Sequence, residues 1–433
     1  MDRKTKHLII VSFDGLSTLD FDYINSLPNF KEFIKNSSYC KSVCSIYPSL
    51  TYPAHTSIVT GKYPNNHRII NNTYLQLNTD SPDWHWYRRD IKAETFYDIA
   101  IGKKMKVAAL LWPVTAKSKI QYNMPEIFAN RKWQNQIIVS LLNGSPLYQI
   151  QMNYKYGNIR NGLSQPELDD FTNKCLNDTL KNKKPDIIMV HFTDLDTIRH
   201  KYGFDSKEAK AALNRHDKRL GEIINTLKNN NMYDESTLIL LGDHSSLNED
   251  KVIYLNRLLK EKGFIKVDKD GNIKSYKAIL KNCDGSAYIY TKNKDETIKE
   301  QIFNLLKEFN EKYNCIEEIF SSKRAKELGA DENATFMLEA KKGYYFLDSH
   351  NREVIEHIKK EYIGNIPHLT LSTHGYSPFK DNYTTVFIAR GCGIKKNIVI
   401  DNMSLIDYAG TFSKLLGFEM NDIDGRVLDE ILE

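Results

Sequence analysis

A chain of 433 residues is longer than one hydrophobic core usually supports, so one large α/β domain with an insertion, or two domains, is expected. With 41% hydrophobic and 27% charged residues, the composition is that of a soluble globular protein and excludes disordered and fibrous chains. The net charge of +5, from 60 basic and 55 acidic side chains scattered along the chain, argues against nucleic acid as a partner.

The start, Met1-Asp2-Arg3-Lys4-Thr5-Lys6, runs into a short apolar stretch, His7 to Phe13, that stops at Asp14. It lacks the apolar core and small-residue cleavage site of a signal peptide, and no run approaches the ~18 apolar residues of a membrane span. The expected location is cytoplasmic, with no membrane span. The cysteines at 40, 44, 175, 283, 315 and 392 form no CxxC pair and are expected as free thiols.

Apolar runs ending in polar or Gly-rich turns recur at His7 to Phe13, Lys106 to Trp112, Asp186 to Phe192, Thr237 to Leu241 and Tyr383 to Arg390. Their length and β-branched content predict buried parallel strands. Between them lie helical stretches such as Ser206 to Asn229, where Ala209, Leu213, Leu220, Ile223, Ile224 and Leu227 keep a helical spacing. The alternation predicts a doubly wound, mostly parallel α/β sheet flanked by helices. In residues 247–365, helical pieces (Lys251 to Lys262, Asp295 to Tyr313) alternate with strand-like ones (Ser286 to Tyr290, Gly343 to Leu347). This predicts a smaller α+β cap inserted into a main domain of residues 1–246 and 366–433. Thr384 to Ile388 then resumes the main sheet, and Leu405 to Leu416 supplies a closing helix.

Ligand sites in open α/β sheets form beyond the carboxyl ends of the strands. Asp14 follows HLIIVSF, Asp194 and Asp196 follow DIIMVHFT, and Asp243-His244 follows TLILLG. Any one of these is unremarkable as a helix cap or turn former; the set is harder to assign to caps. Asp196 and His200 are four apart, on one face of a helical turn, and His374 stands in the Gly-flanked loop THGY. Three Asp and three His, without thiolate, suit zinc and also manganese or iron. Carboxylates gathered at one edge repel one another unless cations neutralise them. Six ligands exceed the four of a single tetrahedral zinc, so two ions are expected, an arrangement that recurs in displacement at phosphorus.

The segment Tyr47 to His67, YPSLTYPAHTSIVTGKYPNNH, resembles the nucleophile region of the nucleotide pyrophosphatase/phosphodiesterase family of the alkaline phosphatase superfamily. VSFDG, DLDTIRHKYG, GDH, THGYSP, TVFIARGCGIKKN and LLGFEMNDIDG extend the likeness over about residues 7 to 420. The resemblance implies an alkaline phosphatase-like catalytic domain and a two-metal phosphodiesterase or pyrophosphatase with Thr51 as covalent nucleophile. Cation-independent reading makes Thr51 a helix N-cap. By the resemblance, Asp196, His200 and His374 hold one divalent ion, and Asp14, Thr51, Asp243 and His244 the other, with zinc expected first and manganese or iron as alternatives. It also implies that the amide of Asn72 binds a phosphoryl oxygen and that Tyr52 lies beside the substrate, a small phosphodiester or nucleotide; core packing is the alternative for Tyr52. Trp84 and Trp86 are further stacking candidates. His191 and Asp194 are expected as supporting residues.

The chain departs from the family pattern at Arg68, Asn71 and Arg199; an outward, salt-bridged Arg199 is expected. The family's longer members carry a nuclease-like extension, and a catalytic core alone is expected here. Phosphonate hydrolysis of the phosphonoacetate type, or phosphomonoester hydrolysis, is the competing enzymatic reading on this fold. The C/S-x-P-x-R motif of sulfatases is absent. A pseudoenzyme would lack a ligand or the nucleophile, and none is missing. The natural leaving group and the oligomeric state are not legible in the residues.

Overall fold

The computed structural model describes residues 2–79 and 81–433. Strands β1 (His7–Phe13), β2 (Ser38–Cys44), β3 (Val107–Leu110), β4 (Tyr122–Met124), β5 (Ile187–Phe192), β6 (Ser236–Leu241), β7 (Thr385–Gly391) and β8 (Met403–Ser404) form an eight-stranded sheet ordered β8-β2-β7-β6-β1-β5-β3-β4. The central strand β1 runs parallel to both β5 and β6, with Phe13 opposite Phe192 and Ser12 opposite Leu241. The carboxyl ends of these three strands are therefore level.

Alternate residues of β1 feed two cores. Leu8 and Ile10 pack with Ala54, Ile58 and Phe412 on one face; Ile9, Val11 and Phe13 pack with Phe171, Leu213 and Leu220 on the other. Burial on both faces is why these strands read as continuous apolar runs. Helix α1 (Thr51–Thr60) covers the first face, and α2 (Gln136–Asn143) and α3 (Pro146–Tyr156) follow β4. On the second face lie α4 (Glu167–Asn182), α5 (Asp194–Tyr202), which leaves β5 directly, and α6 (Lys207–Asn229). Ser206 caps α6, its hydroxyl accepting from the Ala209 N–H.

Two expectations about elements change. Strand β7 is antiparallel to both neighbours, β2 and β6. Its residues Thr385 to Ala389 are buried, and a strand enclosed on both faces has the same apolar composition whichever way it runs. The expected helix from Lys251 is shortened to Leu255–Glu261. Lys251, Val252 and Ile253 extend instead into a strand paired with Gly343–Phe346 on one side and Ile355–His357 on the other.

Between β6 and β7 the chain builds an antiparallel sheet of Ala278–Cys283, Ser286–Thr291, Phe336–Ala340 and Ile316–Ser321, whose core includes Ile302, Leu306 and Phe309 of the helix Glu296–Tyr313. The neighbouring strand Leu247–Ile253 also pairs with Ser372–Thr373, directly before His374.

Under α5, a buried ionic cluster fixes where that helix starts. The Asp194 carboxylate accepts two bonds from Arg215 at 2.7 Å, and a third from Arg219 at 3.0 Å. Arg219 also bonds Asp170 at 2.8 Å, while Asp169 takes the Thr193 and Asp194 amides. Removing one partner from such a cluster strands a buried charge. Arg219→Met is therefore expected to lower unfolding free energy in urea by about 3 kcal/mol or more; a loss below about 1 kcal/mol would contradict this role.

Candidate active site

Each strand ending in the middle of the sheet delivers a side chain to the same edge. The Asp14 amide extends the β1 ladder by one bond, donating to Phe192 O at 2.9 Å, and the next amide, Gly15, donates to Asp243 Oδ1 at 3.1 Å. Asp243 follows Gly242, where an added Cβ would lie 2.1 Å from Thr385 Oγ1 and 2.3 Å from Leu16 O; only glycine lets β6 turn here. Asp196 lies in the first turn of α5 and His200 one turn later.

Thr51 is the first residue of α1, and Leu50 occupies the cap position. Its hydroxyl therefore does not cap the helix. It sits 3.1 Å from His244 Nε2 instead, at the positive end of the helix. His244 Nε2 is also 3.3 Å from Asp14 Oδ1 and 3.2 Å from Asp243 Oδ2. Three oxygens from three segments thus converge on one imidazole nitrogen.

On the other side of His244, Asp196 Oδ2 is 2.9 Å from His200 Nε2, and the His374 ring stacks on the His244 ring at 4.0 Å between centroids. His374 is gripped by its backbone: its carbonyl accepts from Gly285 N–H at 2.8 Å, and Gly375 N–H donates to Ser49 O at 3.0 Å. Gly375 has φ +84°, and a Cβ there would lie 1.8 Å from Cys283 O. The loop before Thr51 and the 283–285 hairpin hold His374 between them.

These residues fit divalent cations. The His200 Nδ1 is 2.7 Å from Ser372 O, and His244 Nδ1 is 3.1 Å from Ser245 O. A carbonyl only accepts, so in each ring Nδ1 carries a proton and Nε2 is the nitrogen left to offer a lone pair to a cation. Among the described residues, Asp14 Oδ1, Asp196 Oδ1, Asp243 Oδ2 and His374 Nδ1 are buried without a hydrogen-bond partner. Such groups are costly unless something else satisfies them. Ligand atoms of Asp14, Asp243 and His244 lie within 4.8 Å of one another, as do those of Asp196, His244 and His374.

The charges respond to this crowding. Burial, then the neighbouring Asp243 and Asp196, pushes the Asp14 carboxyl well up, and burial pushes Asp243 up to about 6. Burial would raise Asp196 too, but the adjacent His200 holds it below the usual carboxylate range. Its partner His200 is raised to about 9 by Asp196 against burial, whereas burial lowers His244 to about 4.

The expected substrate residues divide. Asn72 lines the cavity above Thr51, and its carboxamide oxygen accepts from Tyr52 N–H at 2.9 Å, which turns its NH2 into the donor offered to a ligand. Tyr52 is instead fully buried among Ile69, Trp86 and Ile127, with its hydroxyl on Glu126 at 3.3 Å, so it cannot lie against a substrate. Trp84 lines the cavity in its place. Arg199 is also inward, not outward: it is 1% exposed, bonds Gly15 O and Asp20 Oδ1 at 2.6 Å each, and fixes the turn after Asp14.

Three supporting residues were not singled out as such from sequence. His55 donates from Nδ1 to Thr51 O at 2.8 Å and takes the Ser12 hydroxyl at 2.9 Å, pinning α1 to β1. Glu126 bonds His191 Nδ1 at 3.0 Å, and His191 Nε2 lies 3.2 Å from Asp14 Oδ2. Asp284, at the hairpin tip, approaches His374 Nδ1 to 4.0 Å. Only His55 carried a local signal, one turn after Thr51.

A model of the type I phosphodiesterase / nucleotide pyrophosphatase family matches residues 8–385. Venom phosphodiesterase 2 of Crotalus adamanteus is 27% identical over 249 residues, 55% of this chain and 26% of that protein. The bis(5'-adenosyl)-triphosphatase of Bos taurus is 25% identical over 306 residues, 66% of this chain and 59% of that one. This chain thus spans about a quarter of the venom proteins it matches. Murine ectonucleotide pyrophosphatase / phosphodiesterase 5 superposes with a TM-score of 0.66 at 19% identity, covering 99% of this chain and 100% of that one.

A cation entering the pocket displaces protons from Asp14, Asp243 and His200, so its binding strengthens as pH rises through about 6 and on towards about 9. Zinc at about a hundredfold excess over its Kd is expected to add about 2.7 kcal/mol of stability at neutral pH. The gain in unfolding temperature should shrink steadily below pH 6; calorimetry showing an equal gain at every pH would contradict the assignment.

Proposed function

The chain belongs to the type I phosphodiesterase / nucleotide pyrophosphatase family, and from that premise we propose that it hydrolyses a small phosphodiester or nucleotide pyrophosphate through a covalent intermediate on Thr51. The observation that carries this reading is the Thr51 hydroxyl, poised at the amino end of α1 among buried carboxylates each of which has one oxygen without a hydrogen-bond partner. Asp196, His200 and His374 would hold one divalent cation, and Asp14, Thr51, Asp243 and His244 the other. Imidazole and carboxylate donors favour zinc, with manganese or iron as alternatives. When bound, the cations supply Lewis-acid stabilisation of negative charge on the reacting oxygens.

The chain's own residues do the rest. The Thr51 hydroxyl gives its proton to solvent as its oxygen bonds to phosphorus, and the bond to the leaving alcohol or phosphate breaks, that group taking a proton from solvent; water then hydrolyses the Thr51 ester and restores the hydroxyl. The amino end of α1 and the Asn72 NH2 face the negative charge that grows on the phosphoryl oxygens. His55 holds the Thr51 carbonyl and so the orientation of the first turn. Asp284, whose carboxyl burial raises to about 6, is ionised at neutral pH and repels a doubly charged monoester more than a singly charged diester. That favours the diester over the monoesterase reading.

A cytoplasmic location is part of this proposal; the six free cysteines support a reducing compartment. Among the described residues, no helix is long and apolar enough to cross a membrane.

Zinc-loaded protein is expected to hydrolyse the nitrophenyl ester of thymidine monophosphate with kcat/KM at least about tenfold above nitrophenyl phosphate, and to lose both activities to a chelator. Thr51→Ala should cut turnover at least about a thousandfold while keeping the circular dichroism spectrum. Wild-type turnover by that variant would rule out the covalent route.

A further inference from the structure

Residues 71–84 and the segment between β6 and β7 enclose a second cavity of about 570 Å3, within the size range of small-ligand sites. It shares Asn72, Trp84, Asp284 and His368 with the cavity that holds Thr51, so the two meet beside Asn72, at the proposed phosphoryl position. Thr51, Asp14 and Asp196 line the larger cavity and not this one. A phosphodiester carries two ester arms, and two cavities lead away from the place proposed for it.

The walls of the second cavity are tied together by the protein itself. Lys281, only 5% exposed, donates from Nζ to Thr73 Oγ1 at 2.7 Å and to Asp348 Oδ2 at 3.2 Å. Asn78 Oδ1 accepts from the Ile273 N–H at 2.7 Å, and its Nδ2 donates back to Ile273 O at 3.1 Å. An ammonium has three N–H bonds, so Lys281 keeps one for a ligand. The Asn282 N–H and C=O are committed to Asp348 and Asn71, so what this residue can offer is its side-chain carboxamide. Donors on Lys281 and Asn72 thus share one wall with acceptor carboxylates on Asp284 and Asp348, and the carboxamide serves as either.

That mixture selects against most arms. An anionic one would meet the carboxylates of Asp270, Asp284 and Asp348, and a cationic one Lys281 and Arg352. A hydrocarbon arm would cover the same polar groups without bonding them, which is costly. A hydroxyl both donates and accepts, so a neutral group dense in hydroxyls satisfies donors and acceptors set side by side. We propose that this cavity is a subsite for a sugar or polyol arm of the substrate, held by Lys281, Asn282 and Asp348 while the phosphodiester lies at Thr51. This rests on the phosphodiesterase reading of Thr51 and its neighbours. Trp84, on the shared wall, adds an apolar surface for the C–H face of a sugar ring.

The test measures competitive inhibition of full-length, zinc-loaded protein acting on the nitrophenyl ester of thymidine monophosphate. The inhibitors are methyl phosphodiesters whose second arm is glucosyl, glyceryl, cyclohexyl or aminoethyl. At least one of the two hydroxylated esters is expected to bind at least about tenfold more tightly than the cyclohexyl ester, and the tighter of the two tells a sugar from a polyol. In Lys281→Met the ratio between that ester and the cyclohexyl one should fall to within about threefold; because both inhibitors meet the same variant, the ratio is insensitive to a general loss of activity. Asn282→Ala, which leaves the buried Lys281–Asp348 pair intact, should lower the ratio in the same direction. Equal inhibition by hydroxylated and cyclohexyl esters, tightest binding by the aminoethyl ester, or a ratio unchanged in both variants overturns the proposal. Should the thymidine ester be inert, the phosphodiesterase reading falls and the subsite with it; turnover of that ester without a preference for hydroxyls defeats the subsite alone.

Discussion

Three carboxylates and three imidazoles crowded into one buried pocket are the constraint to which the rest of the molecule answers. Two unit charges of like sign about 4 Å apart repel by about 4 kcal/mol at an effective dielectric near 20. Burial and that repulsion push the Asp14 carboxyl well up and burial pushes Asp243 to about 6, while Asp196 stays ionised beside His200. Cations relieve the same strain without protons, and they do so only if the framework refuses to let the ligands move apart. The level ends of β1, β5 and β6, the Gly15 amide on Asp243 and the Arg199 clamp on Gly15 O supply that refusal.

The excursion between β6 and β7 is built into the same pocket. Ser372 sits in a two-residue strand beside Asn248, and its carbonyl orients His200. The Cys283–Gly285 hairpin holds the His374 carbonyl and leaves so little room that only glycine fits at 375. Asn71, beside the Asn72 that lines the cavity, donates to Asn282 O at 2.8 Å. Movement of the excursion would therefore move His200, His374 and Asn72 together.

What the sequence made legible was what is local. Polar residues at the ends of apolar runs, and a carboxylate and an imidazole four residues apart, belong to single segments, and they point to the pocket without help from the fold. Strand β1 was likewise written in its continuous apolar run and helix α6 in its periodicity. The direction of β7 was not, because burial on both faces erases the difference between parallel and antiparallel composition. Arg199 was misjudged and Tyr52 left open for a related reason: whether a guanidinium or an aromatic turns inward is decided by Asp20, Ile69 and Trp86, which come from other segments. His191 with Glu126, and Asp284 with His374, are meetings of residues 65 and 90 positions apart, and no spacing rule reaches them.

The proposed hydrolysis at Thr51 calls for two cations in the pocket, so their number is the most direct test. Protein loaded with zinc and dialysed free of excess should carry two zinc ions per chain by plasma mass spectrometry, falling to one in Asp196→Ala. One ion or none in the wild-type protein would contradict the account.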